Sequence, residues 1–211
     1  MNNWVKSFET INRIKSVTCS LPDDVFLSLK KECNKVKNKK IKNKKLKLIG
    51  HINEEYSINN IPKNINDFIL GKVLREDAII KRTRELTVIS SDKPFYIDKL
   101  WVNFQKKYEF NPPHNHSGIY SFVIFVKIPY DLEKEEKYFT KSFTVQPMTS
   151  KFAFQYININ GDISTDTLNV DKSFEGKIIL FPSKQVHTVF PFYTSNDYRV
   201  TVSGNIKLKV D

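Results

Sequence analysis

Cysteine is almost absent: Cys19 and Cys33 are the only two in 211 residues. Two thiols make no disulfide framework, and such scarcity points to a reduced, intracellular setting. Long apolar runs are missing too. None approaches the roughly 18 residues that a membrane span requires. The opening Met1-Asn2-Asn3-Trp4-Val5-Lys6 lacks the apolar core of a signal peptide. A soluble cytoplasmic chain with no membrane partner is therefore expected. Arginine is scarce as well, at positions 13, 75, 82, 84 and 199 only, although the net charge is +11. That charge comes mostly from lysine, which gives a field without base readout. Solvated surface explains it better than a polyanion site, and nucleic acid is not the expected partner. Histidine is the most telling shortage. The chain has four, and three of them fall in two short stretches. His114 and His116 lie in Asn111-Pro112-Pro113-His114-Asn115-His116-Ser117-Gly118, and His187 closes Phe181-Pro182-Ser183-Lys184-Gln185-Val186-His187.

What is plentiful is apolar and aromatic. Hydrophobic residues make up 40% of the chain and aromatics 13%, with 16 Phe and 9 Tyr. This is enough to fill a core and leans toward strands. Leu21-Pro22-Asp23-Asp24 is a helix start with an acidic first turn; Val25, Phe26, Leu29 and Cys33 then form one apolar stripe to about residue 36. Residues 34–47 are lysine-rich, either an exposed helix end and loop or an electrostatic contact for an acidic surface. A second helix is expected over 64–84, where Ile65, Phe68, Ile69, Val73, Leu74, Ile79 and Ile80 repeat near 3.6. From residue 85 onward the pattern becomes β. Strands are expected at 86–89, 94–97, 99–105, 120–128, 139–146, 151–157, 177–181, 187–192 and 198–210, with a charged loop over 131–137. Both parities of 120–128 are apolar, so that strand should be buried on both faces. Helices followed by many short strands predict a mainly β, α+β domain: N-terminal helices supporting a double-stranded β-helix, or jelly roll. One domain spanning 1–211 is expected, with 1–94 mostly helical support and 95–211 the core.

The histidines suggest chemistry. At the edge of a strand, residues i and i+2 point the same way. His114 and His116 can thus present two imidazoles on one face, and a third from His187, 73 residues after His114, completes a grip on a transition metal such as Fe, Ni, Cu or Zn. The plainer alternative is two histidines in a polar loop and one structural histidine. Pro112-Pro113 would stiffen the approach. Arg199, Thr201 and Ser203 share one face of the last strand. If that face lines the interior, a buried guanidinium needs an anion, and its fork matches a carboxylate.

Taken together, the pattern H-x-(D/H)…H…R in a β-rich domain resembles the Fe(II)- and 2-oxoglutarate-dependent oxygenases. It is similar in particular to a prolyl-hydroxylase-like subgroup common in marine bacteria and their phages, which would place a viral chain in the host cytoplasm. The stretches that carry the resemblance are Trp101-Val102-Asn103, Pro113 to Gly118, Phe181-Pro182, His187-Thr188-Val189-Phe190-Pro191 and Arg199 to Asn205. They span about 95–208; residues 1–94 match nothing specific. The resemblance implies a dioxygenase that uses Fe(II), 2-oxoglutarate and O2. It would couple oxidative decarboxylation to succinate and CO2 with hydroxylation of a second substrate. His114 and His187 would be iron ligands. Arg199 would bind the distal carboxylate of the small-molecule cosubstrate, assisted by Thr201 or Ser203, with Asn103, Tyr120 and Ser121 lining its pocket. A prolyl residue of a polypeptide is the first specific expectation for the substrate.

One departure matters. Most of these enzymes carry Asp or Glu two residues after the first histidine, where this chain has His116. Either His116 is the third ligand, making a more cationic site, or it lies behind the metal with water in its place. Two rival readings follow. A three-histidine site resembles cupin-type dioxygenases that need no 2-oxoglutarate. A jelly-roll module that binds partners through its lysine-rich segment would have no chemistry at all.

Overall fold

The computed structural model describes residues 9–11, 16–39, 49–76, 95–139 and 147–209. The apolar stripe after Asp23 and Asp24 forms helix α1 (Asp23–Lys39), and the second apolar repeat forms α2 (Lys63–Phe68). α2 continues through a π turn (Ile69–Val73) into a 3-10 turn (Leu74–Glu76). The rest of the expected second helix, the strand at 86–89, most of that at 139–146 and residues 40–47 of the lysine-rich stretch lie outside the described residues. Residues 34–39 extend α1, where the Lys37 ammonium sits 3.7 Å from the centre of the Tyr198 ring. Beside the helices, the N-terminal part contributes three short strands: β1 (Glu9–Ile11), β2 (Ser16–Ser20) and β3 (Glu55–Ser57).

The remaining strands are β4 (Phe95–Gln105), β5 (Asn111–His114), β6 (Tyr120–Lys127), β7 (Phe152–Ile157), β8 (Ile163–Leu168), β9 (Lys177–Pro182), β10 (Val186–Val189) and β11 (Arg199–Leu208). They form two antiparallel sheets, one in the order β1-β2-β9-β6-β11-β4-β3, the other β5-β10-β7-β8. This is the expected jelly roll with helices on one outer face. Two expected strands, 94–97 and 99–105, are one continuous β4; the pairing with β11 skips Asp98 at an irregularity, Lys99 facing Asn205 and Ile97 facing Ile206, and the Asp98 carboxylate lies 2.9 Å from the Lys207 ammonium.

Alternation along the central strands divides the interior in two. On β6, Phe122, Ile124 and Val126 face the helices and pack with Val25 and Leu29 of α1 and Ile65 and Phe68 of α2. Val123 and Phe125 face the second sheet and pack with Phe152, Phe154 and Phe181. The strand expected to be buried on both faces is therefore one, apart from exposed Lys127 at its end. Cys19 and Cys33 are free and buried in the helix-side layer. Burial pushes both thiols up to about 12, so they pack as small apolar groups. No helix among the described residues is long and apolar enough to cross a membrane.

The expected charged loop at 131–137 is instead a short helix, α3 (Leu132–Lys137), whose N-cap is Asp131, accepting from the Lys134 N–H at 3.0 Å. Within it Glu135 is fully buried. Its carboxylate accepts from the backbone N–H groups of Tyr193 (2.9 Å) and Thr194 (2.7 Å) and from the Thr194 hydroxyl. It thereby fixes the loop between β10 and β11. Replacing Glu135 by Ala leaves those donors without their shared acceptor and unties the loop, and should cost about 3 kcal/mol. Glu135→Gln, which keeps one acceptor oxygen, should recover part of the loss. Urea unfolding with an unchanged m-value is the measurement.

Candidate metal centre

β5 lies at an edge of its sheet, where prolines are tolerated because a ladder donor is not needed. Pro112 and Pro113 occupy that edge, and His114 ends the strand. Antiparallel pairing sets His114 directly opposite His187 of β10, with ring centroids 4.2 Å apart. His116 lies beyond the strand, so it is not brought in by strand alternation. Its N–H donates to the Ser183 carbonyl at 2.8 Å, and its carbonyl accepts from the Lys184 ammonium at 3.1 Å. These contacts curl the loop back and put its ring 4.9 Å from His114 and 5.0 Å from His187. The ligand nitrogens of the three rings all lie within 4.8 Å of one another.

Hydrogen bonds select the tautomers. His114 Nδ1 lies 2.7 Å from the Pro112 carbonyl and His187 Nδ1 3.1 Å from the Gln185 carbonyl. A carbonyl only accepts, so each Nδ1 carries the proton and each Nε2 keeps a free lone pair. Burial pushes His187 down to about 3 and His116 to about 4, with neighbouring imidazoles adding to both, and it lowers His114 as well. At neutral pH all three rings are uncharged, the form that binds metal. An all-imidazole set of this kind suits iron. The surroundings are dry and aromatic. Phe152 stacks on His187 at 5.4 Å, Phe181 meets it at 4.9 Å, and Trp101 lies 5.6 Å from His116.

The histidines open onto a cavity of about 270 Å³ between the sheets. Arg199, Thr201 and Ser203 line it from β11, and Asn103 from the adjacent strand β4. Asn103 Nδ2 lies 3.5 Å from Thr201 Oγ1. Ser121 is one bond behind the wall, its hydroxyl donating to Asn205 Oδ1 at 2.9 Å. Tyr120 is a correction. It packs in the helix-side core, against Phe95 among others, and does not line the cavity.

Arg199 is 2% exposed, and every one of its N–H groups has a partner. Gln105 Oε1 accepts from Nε (2.9 Å) and Nη2 (2.7 Å); the Phe190 carbonyl accepts from Nη2 (2.7 Å). The Tyr130 hydroxyl (3.1 Å) and the Ser150 carbonyl (2.8 Å) accept from Nη1. Ser150 presents that carbonyl from a left-handed backbone (φ 60°), a conformation uncommon outside glycine. Among the described residues no carboxylate pairs with the guanidinium, so its charge is buried without a counterion. Gln105 and Tyr130 carry no motif of their own; only the pairing of β4 with β11 reveals Gln105, opposite Arg199.

The sequence model described as "Putative 2OG-Fe(II) oxygenase" matches residues 99–205, just over half of the chain. The chain belongs to this family. The oxygenase is similar in fold to a Pseudomonas putida prolyl-4-hydroxylase, with a TM-score of 0.57 at 12% identity over 95% of this chain and 96% of that one. It is also similar to a prolyl hydroxylase from Trichoplax adhaerens, solved with a hypoxia inducible factor oxygen degradation domain peptide. There the TM-score is 0.52 at 9% identity, over 94% and 84% of the two chains. No curated protein matches the sequence. Family membership makes the chain a 2-oxoglutarate-dependent oxygenase that works with Fe(II), 2-oxoglutarate and O2, and the three histidines form a group able to hold that iron.

Removing the guanidinium leaves several buried acceptors without donors. Arg199→Ala should destabilise the fold by about 3 kcal/mol or more. Arg199→Lys should rescue little, because an ammonium cannot span acceptors on four separate segments. Thermal melting of the purified variants checks both.

Proposed function

We propose that the oxygenase is a hydroxylase in which His114, His116 and His187 hold the iron and Arg199 receives the distal carboxylate of 2-oxoglutarate. The observation that carries the reading is that three uncharged imidazoles converge beside a cavity whose wall holds a buried, uncompensated guanidinium. With iron bound, the site supplies the chemistry in which one O2 and one 2-oxoglutarate yield succinate, CO2 and a hydroxylated substrate. The chain's own residues prepare the setting. The carbonyls of Pro112 and Gln185 hold the two Nδ1 protons and aim the bare Nε2 atoms. The rings of Phe152, Phe181 and Trp101 keep water from the centre.

His116 is proposed as the third ligand in place of a carboxylate. Three neutral donors leave the ion's double charge intact; the chelating carboxylate of the cosubstrate would offset one unit of it, while the distal carboxylate offsets Arg199. At the far wall, Gln105 Oε1 already accepts from both Nε and Nη2 of Arg199, the fork that a carboxylate grips. The distal carboxylate would exchange with it, next to the Thr201 hydroxyl. A polypeptide substrate, hydroxylated at a prolyl residue, is the finer reading. Its support is that two proteins of similar fold are named prolyl hydroxylases, one of them solved with a peptide.

Anaerobic addition of Fe(II) and 2-oxoglutarate should produce a weak visible charge-transfer band. His187→Ala should abolish it through loss of metal, with affinity falling at least about 100-fold. Arg199→Ala, assayed at a temperature where the variant is still folded, should keep metal uptake and weaken cosubstrate binding. Metal binding with no band and no 2-oxoglutarate-dependent succinate would favour the three-histidine dioxygenase that uses no cosubstrate. Absence of stoichiometric metal would overturn both.

A further inference from the structure

The cavity has a wall that the family match does not cover. The match begins at residue 99, yet Ile49, Ile52 and Glu55 also line the cavity. The segment that carries them bridges the seam between the two sheets. His51 N–H donates to the Phe110 carbonyl just before β5 (2.9 Å), and the Phe104 N–H on β4 donates to the Glu54 carbonyl (2.9 Å). Gly50 lets it close on β5: a Cβ there would come within 1.9 Å of Asn111 Oδ1. β3 then pairs with β4, setting Glu55 opposite Asn103.

Three acidic residues gather along this seam, and two are spoken for. Glu54 accepts from the Tyr198 hydroxyl (2.7 Å) and pairs with Lys106 (3.3 Å). Glu109 accepts from the Asn53 side chain (2.5 Å) and the Lys106 N–H (2.9 Å). Glu55, the one that lines the cavity, makes no hydrogen bond or ion pair among the described residues. Burial, with Glu109 nearby, raises its carboxyl to about 7, which marks a site short of positive charge. Beside it, Asn103 is 5% exposed and its Oδ1 has no partner; across the cavity Asn111 Oδ1, at 8% residue exposure, has none either. Lys99, four residues along β4, also lines the cavity, but it is exposed and forms no ion pair with Glu55 among the described residues. This part of the wall therefore holds a carboxyl and two amide oxygens without partners, and buried polar groups need partners.

We propose that Glu55, with the Asn103 side chain beside it, forms a substrate subsite for a protonated amine or guanidinium, so that the oxygenase selects a substrate bearing a basic side chain. The proposal rests on the hydroxylase reading in that the cation sits in the same cavity as the iron ligands. It adds that substrate choice is made by the 49–57 segment, outside the matched core. A basic residue on a peptide supplies both a charge for Glu55 and N–H donors for the unpartnered amide oxygens.

The test uses matched probes on the full chain: N-acetyl-arginine amide against N-acetyl-citrulline amide, and N-acetyl-lysine amide against N-acetyl-norleucine amide. Binding is read by calorimetry without metal, and separately as stimulation of succinate formation with Fe(II) and 2-oxoglutarate. At least one basic probe should bind about tenfold more tightly than its neutral twin. Glu55→Gln should bring that ratio to about one, Glu55→Asp should keep much of it, and 2-oxoglutarate affinity should be unchanged in both. Equal binding within both pairs, no binding of either basic probe, or full discrimination in Glu55→Gln would overturn the proposal. Discrimination by Glu55 without any succinate would instead refute the hydroxylase reading and leave the subsite standing.

Discussion

A single guanidinium joins four stretches of chain that are far apart in sequence. Through Arg199, the end of β4, the segment after β6, the turn before β7 and the residue after β10 meet at one point. A charge so deeply buried costs several kcal/mol unless every donor is met. Neutral acceptors meet all of them, and among the described residues no carboxylate compensates the charge. The Arg199 side of the cavity is therefore held by its own hydrogen bonds and electropositive. Such preorganisation lets an anion bind with little rearrangement of backbone, and the buried carboxylate of Glu135 steadies the same region by fixing the loop between β10 and β11.

The other pole of the cavity has the opposite character. Its imidazoles are uncharged, their protons parked on backbone carbonyls, and their surroundings are aromatic. Burial depresses the protonation of all three rings, and for His116 and His187 the neighbouring imidazoles add to it, because charged rings packed this closely would repel. Charge enters this end only with a metal. The cavity thus separates a fixed positive group from a set of neutral donors, a division of labour suited to a ligand with an acidic end and a chelating end.

Rare residue types make the site legible in the sequence. Three of four histidines and one of five arginines stand in short motifs, and the described structure brings those four residues to one cavity. The doubly apolar β6 and the order of helices before strands likewise reveal the jelly roll. Other features depend on partners that a linear pattern does not show. β8 escapes because it is an edge strand of mostly polar residues, with Ile163 74% exposed. Asp131 to Lys137 reads as a loop because its charges hide a capped helix and a buried Glu135. Tyr120 and Ser121 sit side by side in a motif, yet alternation sends one to the helix layer and the other toward the cavity wall. Glu55 lies in a stretch without a motif, and only the pairing of β3 with β4 brings it to the cavity.

The two prolines before His114 have a consequence beyond stiffening. β5 is the outermost strand of its sheet, and a bare edge invites pairing with another chain. Pro112 and Pro113 have no amide hydrogen to offer, so an incoming strand finds an incomplete ladder beside the histidines. The same dipeptide that leads the chain into the metal centre thus discourages neighbouring molecules from zipping onto the edge that carries it.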